Sequence, residues 1–243
     1  MNNQYSMRAI WASLPAEKRK SDAYWTQWVL RPLSIPVSWI FLRLKVSANG
    51  VSYLSALTAL VGGILLCIDS ASARIGGALL LNLFAVLDCV DGNIARVTKT
   101  TGPWGAWADA LGGYVAYASA LLGAGMAAEM MCGGVSDSTG GILPAGAFAF
   151  LGGLAAGSNL LMRLVYQSYK NVRQEKASED IAGEKRISEN LGVTGMLMPA
   201  VLIGVCTGAL PIVVAFYAVL YGGGCIVSIG KLIRKVERLK KKE

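Results

Sequence analysis

Asp88, Asp91 and Asp109 stand inside or beside segments that are otherwise apolar enough to enter a membrane. Charge in that setting needs a reason. Side chains three and four positions apart share a face of an α-helix, so Asp88, Asp91, Gly92 and Ala95 form one stripe that ends at Arg96. Gly105, Asp109 and Gly113 form a second stripe on the following segment. An aspartate at mid-membrane depth costs roughly 2.5 to 3.5 kcal/mol on insertion scales, so three without partners would cost on the order of 8 to 10 kcal/mol. A bound cation offsets that cost. Carboxylates converging from two antiparallel helices make a hard, all-oxygen site suited to Mg²⁺ or Mn²⁺, with coordination positions left over for phosphate oxygens. The chain has no histidine, and its five cysteines are scattered without a CxxC, so no soft ligand set competes. Glycine at 92, 105 and 113 clears the same faces for a bulky ligand or a second helix backbone. The plainer alternative is ordinary small-residue helix packing, with the aspartates at wet membrane edges.

These residues resemble the signature of the CDP-alcohol phosphotransferases, D-x-x-D-G-x-x-A-R, eight residues, then G-x-x-x-D-x-x-x-D. Asp88, Asp91, Gly92, Ala95, Arg96, Gly105 and Asp109 fall in register, and the last position of the pattern is Gly113 instead of aspartate. The resemblance implies a membrane transferase that moves a phosphatidyl or phospho-alcohol group from a CDP-linked donor, CDP-diacylglycerol or a soluble CDP-alcohol, to an acceptor alcohol, releasing CMP, as in phospholipid biosynthesis. It also implies two Mg²⁺ or Mn²⁺ ions on Asp88, Asp91 and Asp109, and a CDP site formed by Asp88, Asp91, Gly92, Ala95, Arg96 and Gly105. The catalytic pair would be Asp109 and the base, whose place Gly113 takes. Losing a base costs on the order of 10² to 10⁴ in rate. An acceptor that ionises readily, Tyr117 one turn further on acting directly or through water, or a catalytically impaired protein that binds metal and CDP-linked ligand without efficient turnover would each answer that loss. A small cation transporter using intramembrane aspartates is a third class, but it leaves the register of Gly92, Ala95, Arg96 and Gly105 unaccounted for.

The elements that must position these groups follow from composition. With 54% hydrophobic and 16% charged residues among 243, the chain reads as an all-α integral membrane protein. Six transmembrane helices are expected near residues 49–69, 75–96, 104–126, 143–166, 190–210 and 212–230, each close to the ~20 residues that cross a bilayer. Pro211 favours a tight turn between the last two. Ahead of them, Trp25, Trp28 and Trp39 with Arg31 and Arg43 suggest a juxtamembrane amphipathic helix, interrupted at Pro32 and Pro36. The domains are then an arm and interfacial helix over 1–48, a six-helix catalytic region over 49–230 and a basic tail over 231–243. The first twenty residues read as a mobile arm on an anionic headgroup surface, and no cleavable signal is expected.

The net charge of +8 raises nucleic acid as a partner, but the cations flank apolar runs instead of forming a basic domain, so no nucleic acid is expected. With the N-terminus cytoplasmic, 22 of the 23 Lys and Arg residues fall on the cytoplasmic side, Arg74 alone excepted. Both termini and the aspartate cluster are therefore expected to face the cytoplasm. Arg163 lies at a helix end and is a candidate for acceptor or phosphate binding, with Lys170, Arg173, Lys185 and Arg186 beyond it. The family resemblance suggests a homodimer, and the small residues Gly152, Gly153, Ala156 and Gly157 offer a close-contact face for it.

Overall fold

The computed structural model describes residues 5–133, 143–173 and 190–240, and all regular structure among them is helical. Lys185 and Arg186 lie outside the described residues, as does most of the Gly-rich loop after Cys132. Short helices α1 (Met7–Ala12) and α2 (Ala16–Ser21) precede a π-helical turn (Thr26–Leu30) that runs into α3 (Arg31–Arg43). Then come α4 (Ala48–Leu66), α5 (Ala71–Thr98), α6 (Pro103–Met131) and α7 (Ala147–Arg173). A second π-helical turn (Val193–Leu197), α8 (Met198–Thr207) and α9 (Leu210–Lys240) complete the chain.

Among the described residues five helices, α4, α5, α6, α7 and α9, are long and apolar enough to cross a membrane. The segment expected as a sixth span is Val193–Thr207, shorter than the others and apolar. At ~1.5 Å per residue it reaches about 22 Å, short of a ~30 Å hydrocarbon layer. Its first turn is distorted because Gly195 has non-helical angles, φ −90° and ψ −117°. The following turn is tight: α8 ends at Gly208, whose φ of 80° is left-handed, and α9 starts two residues later. α9 continues through the basic residues beyond 230 as one helix, so the expected boundary there is not a break in structure.

The spans meet where glycines remove side chains. A Cβ on Gly62 of α4 would stand 2.9 Å from the carbonyl oxygen of Gly77 on α5, so these helices cross backbone to backbone. Gly152 of α7 does the same against Gly125 of α6, where a Cβ would come within 2.7 Å of the Gly125 Cα. Gly152 and the buried Ala156 are thus used inside the chain, which corrects their assignment to a dimer face; Gly157 remains exposed. The core between the spans includes Phe84, Leu66, Tyr217 and Leu197, all fully or nearly fully buried.

A second apolar cluster ties the N-terminal helices to α5. Ile10 of α1 is completely buried and belongs to one cluster with Ile35, Leu42, Leu87, Val90 and Ile94. The residues from Met7 onward are therefore not the free arm expected, because Ile10 and, four residues on, Leu14 both find buried positions. α3 runs through Pro36 without interruption. On α3, Arg31, Ser34 and Ser38 are buried, while Leu33 and Ile40 are exposed. The buried face therefore mixes these polar groups with Ile35 and Leu42, and large apolar side chains remain on the outer face.

Candidate active site

The end of α5 and the start of α6 are brought side by side by a compact reversal. Lys99 closes α5 in the left-handed region at φ 58°, the Thr100 N–H returns to the Ala95 carbonyl at 2.9 Å, and α6 restarts at Pro103. This reversal places Asp88, Asp91, Gly92, Ala95 and Arg96 from α5 and Gly105 and Asp109 from α6 around one cavity of about 410 Å³. All seven residues in motif register therefore share one space. Asp91 is nearly buried, at 5% exposure, and accepts a 2.5 Å hydrogen bond from the Ser52 hydroxyl of α4.

Several lining groups were not singled out from the sequence. Ser52 and Asn49 come from the start of α4, and Lys18, Asp22 and Arg31 come from the N-terminal helices. Arg31 and Asp22 form a bidentate pair, Nε to Oδ2 at 2.8 Å and Nη2 to Oδ1 at 3.2 Å. Burial alone would lower the pKa of the Arg31 guanidinium, but the hydrogen bond and charge of Asp22 outweigh it and hold the value above the ordinary one. Lys18 sits where its positive charge acts on both Asp88 and Asp109. The cavity wall thus carries four carboxylates and three cations. The wall is completed by Thr194, whose carbonyl accepts from the Thr26 hydroxyl at 2.6 Å and so ties the N-terminal segment to the stretch before α8.

Arg96 is held in a particular pose. Its Nη2 donates to the Asn93 Oδ1 at 2.7 Å, and its Nη1 lies 3.0 Å from where a Cβ on Gly92 would stand. Gly92 is thus open for a guanidinium to fold across it. The Arg96 Nε is buried with no hydrogen-bond partner. The guanidinium as a whole belongs to the cavity lining, where a fixed cation suits a phosphate oxygen.

Among the described residues no three His, Cys, Asp or Glu side chains are gathered into a ready cation cage. The donor chemistry still fits a hard divalent ion, since Asp88, Asp91 and Asp109 present only oxygen to one cavity large enough for an ion and phosphate together.

Gly113 and Arg163 lie apart from this lining. A Cβ on Gly113 would meet nothing within 4 Å, so the position of the missing carboxylate is open space. Tyr117, one turn on, is nearly buried: its hydroxyl accepts from the Val193 N–H at 3.1 Å and its ring packs edge-on against Tyr221. That hydroxyl serves as a packing tie and does not line the cavity. Arg163 stacks over the Tyr117 ring with its guanidinium carbon 4.5 Å from the centroid, and its Nε donates to Asn159 Oδ1 at 3.0 Å.

A model of the family described as CDP-alcohol phosphatidyltransferase matches residues 45–179, more than half of the chain and all of α4 to α7. No curated protein matches the chain. The matched region carries every motif residue that lines the cavity, and its family implies phosphatidyl transfer between a CDP-linked donor and an alcohol in a membrane. This helical, multi-pass chain belongs to the CDP-alcohol phosphatidyltransferase family.

Proposed function

We propose that the chain transfers a phosphatidyl or phospho-alcohol group from a CDP-linked donor to an acceptor oxygen, releasing CMP, in phospholipid biosynthesis. The observation that carries this is the gathering of Asp88, Asp91, Gly92, Ala95, Arg96, Gly105 and Asp109 around one cavity. Asp88, Asp91 and Asp109 would hold Mg²⁺ or Mn²⁺, two ions in all, which when bound neutralise pyrophosphate charge as CMP leaves. Gly92, Ala95 and Gly105 leave room for the cytidine. Arg96 offers its guanidinium, part of the cavity lining, to a donor phosphate oxygen. The acceptor oxygen forms its bond to the donor phosphorus while the bond from that phosphorus to the CMP oxygen breaks. Arg163 is the group for an anionic acceptor, and an acceptor oxygen already ionised needs no base at Gly113. The cation distribution supports a cytoplasmic cavity and cytoplasmic termini, an arrangement in which the shorter apolar segment Val193–Thr207 also crosses, so that α9 returns to the cytoplasmic side. A homodimer would have to use surfaces other than the Gly152 and Ala156 face.

A second reading, a member that binds metal and CDP-linked ligand without efficient turnover, is favoured by the open space at Gly113 and by the engagement of the Tyr117 hydroxyl with Val193. The two separate in one experiment on purified protein in Mg²⁺ or Mn²⁺, with CMP release and CDP binding read in parallel across an acceptor panel. Metal-dependent release that Asp91→Ala abolishes supports the transferase. CDP binding without release from any acceptor supports the second reading, and loss of neither property in Asp91→Ala would refute both.

A further inference from the structure

The Arg96 guanidinium is braced from behind by a buried polar chain that reaches α3. Asn93, on the face of α5 away from the aspartate stripe, is 1% exposed, and Ser34 and Ser38 of α3 are fully buried. The Asn93 amide nitrogen donates to both serine hydroxyls, each at 3.0 Å. Those hydroxyls have already committed their own protons: Ser34 donates to the Arg31 carbonyl at 2.9 Å and Ser38 to the Ser34 carbonyl at 2.6 Å. Each serine oxygen can therefore only accept from Asn93. An amide whose two N–H groups are both spoken for has one orientation, and that orientation turns Oδ1 toward Arg96, where it accepts from Nη2 at 2.7 Å. Turning the amide over would set its oxygen against two acceptors and leave buried donors unmet, which is the expensive outcome in a low-dielectric interior.

We propose that Asn93, fixed by Ser34 and Ser38, is a positioning residue that locks the Arg96 guanidinium across Gly92, at the cavity lining, in the pose that meets a phosphate of the nucleoside diphosphate donor. The inference rests on the proposed role of Arg96 at that phosphate. It adds that the juxtamembrane helix α3, which contributes Arg31 to the cavity, also sets donor affinity from behind the cavity wall. The hydroxyls of Ser34 and Ser38 keep backbone acceptors when Asn93 is removed, so Asn93→Ala leaves them satisfied.

The test is calorimetric titration of CDP into the full-length protein in Mg²⁺, for wild type, Asn93→Ala, Arg96→Ala and the double variant. Each single change is expected to weaken CDP binding about tenfold, the size of one hydrogen bond to a charged group. The double variant is expected to bind no more weakly than Arg96→Ala alone, because Asn93 has nothing left to position. A purely structural role for Asn93 would instead multiply the two losses, and that result overturns the proposal. So does wild-type affinity in Asn93→Ala while Arg96→Ala is weakened, an outcome that leaves the donor-phosphate role of Arg96 standing. If neither single variant is weakened, both the positioning and that role are wrong. Should Asn93→Ala not fold, Ser38→Ala takes its place, with an expected loss of about threefold that vanishes in the Arg96→Ala background.

Discussion

At the facing ends of α5 and α6, the face around Asp91 is crowded with partners: Ser52 on the carboxylate, Asn93 behind Arg96, Arg31 paired with Asp22. Two turns further into α6 the face at Gly113 is bare, with nothing within 4 Å of where a side chain would begin. Tyr117, one turn on, and Arg163 of α7 are turned to other uses, Tyr117 to the Val193 amide and Arg163 to a tyrosine ring and Asn159. The two regions differ in what a ligand must bring. The face proposed for the donor offers carboxylates and a cation held in a fixed orientation. If the acceptor binds at the Gly113 face as proposed, it meets space and one guanidinium, so it would have to carry its own ionised oxygen or react slowly.

Restoring the carboxylate is the strongest way to break this contrast. Gly113→Asp meets no steric obstacle at its Cβ, and it is expected to raise CMP release to a neutral alcohol by about 10² to 10⁴, the range a positioned general base contributes. Acceptors with an ionised oxygen should gain far less. An equal gain for both kinds of acceptor, measured as kcat/KM across the panel, would mean that the missing base is not what distinguishes the two regions. Asp91→Ala attacks the other side. Outer-shell partners of metal ligands typically contribute 10-fold to 100-fold, so removing a ligand itself should lower metal-dependent CMP release by at least about 10²-fold. Metal affinity, followed by titrating Mn²⁺ against the paramagnetic signal of the free ion, should fall in parallel.

Arg163→Ala probes the acceptor region with a smaller effect. A charge-assisted contact to an anionic acceptor is worth about 1.5 to 3 kcal/mol, so KM for a phosphorylated acceptor should rise about 10-fold to 100-fold while CDP affinity is unchanged. A change in CDP affinity of similar size would place Arg163 on the donor instead. The packing of its aliphatic stem over Tyr117 gives the substitution a structural component as well, which a thermal unfolding curve separates from the change in KM.

The donor stripe was legible in the sequence because a helix fixes which residues share a face, and carboxylates in apolar helices are rare enough to demand a reason. Asp88, Asp91, Asp109 and Arg96 needed only spacing. The wall opposite them was not legible, since Ser52, Asn49, Lys18 and Arg31 reach the cavity through tertiary packing of α4 and the N-terminal helices. A serine in an apolar helix carries no signal until its partner is known. The irregular start of the stretch expected as a span over 190–210 was not legible for a related reason. Its residues are apolar, but Gly195 takes the backbone out of helical angles, which leaves Val193–Thr207 shorter than the five long apolar helices and sets Thr194 at the cavity. The docking of the N-terminal helices was not legible because the apolar run around Ile10 is short, and its complete burial depends on tertiary packing with residues of α3 and α5.

Ser52→Ala sharpens the contrast at the smallest scale. The Ser52 hydroxyl touches no expected ligand atom except Asp91 Oδ2, so its removal leaves all three carboxylates in place and changes only how one of them is held. A serine that merely fills space would be replaced by alanine at little functional cost, because the two differ by one buried hydroxyl. A serine that orients the carboxylate should instead raise the metal concentration needed for half-maximal CDP binding by about tenfold, the lower end of the range for groups that hold a metal ligand. Maximal CDP binding at saturating metal should recover to the wild-type level, since the ligand set itself is intact. If the metal requirement is unchanged, the 2.5 Å contact only satisfies a buried carboxylate, and the orientation of the donor region must be credited to Asn93 and Arg96 alone.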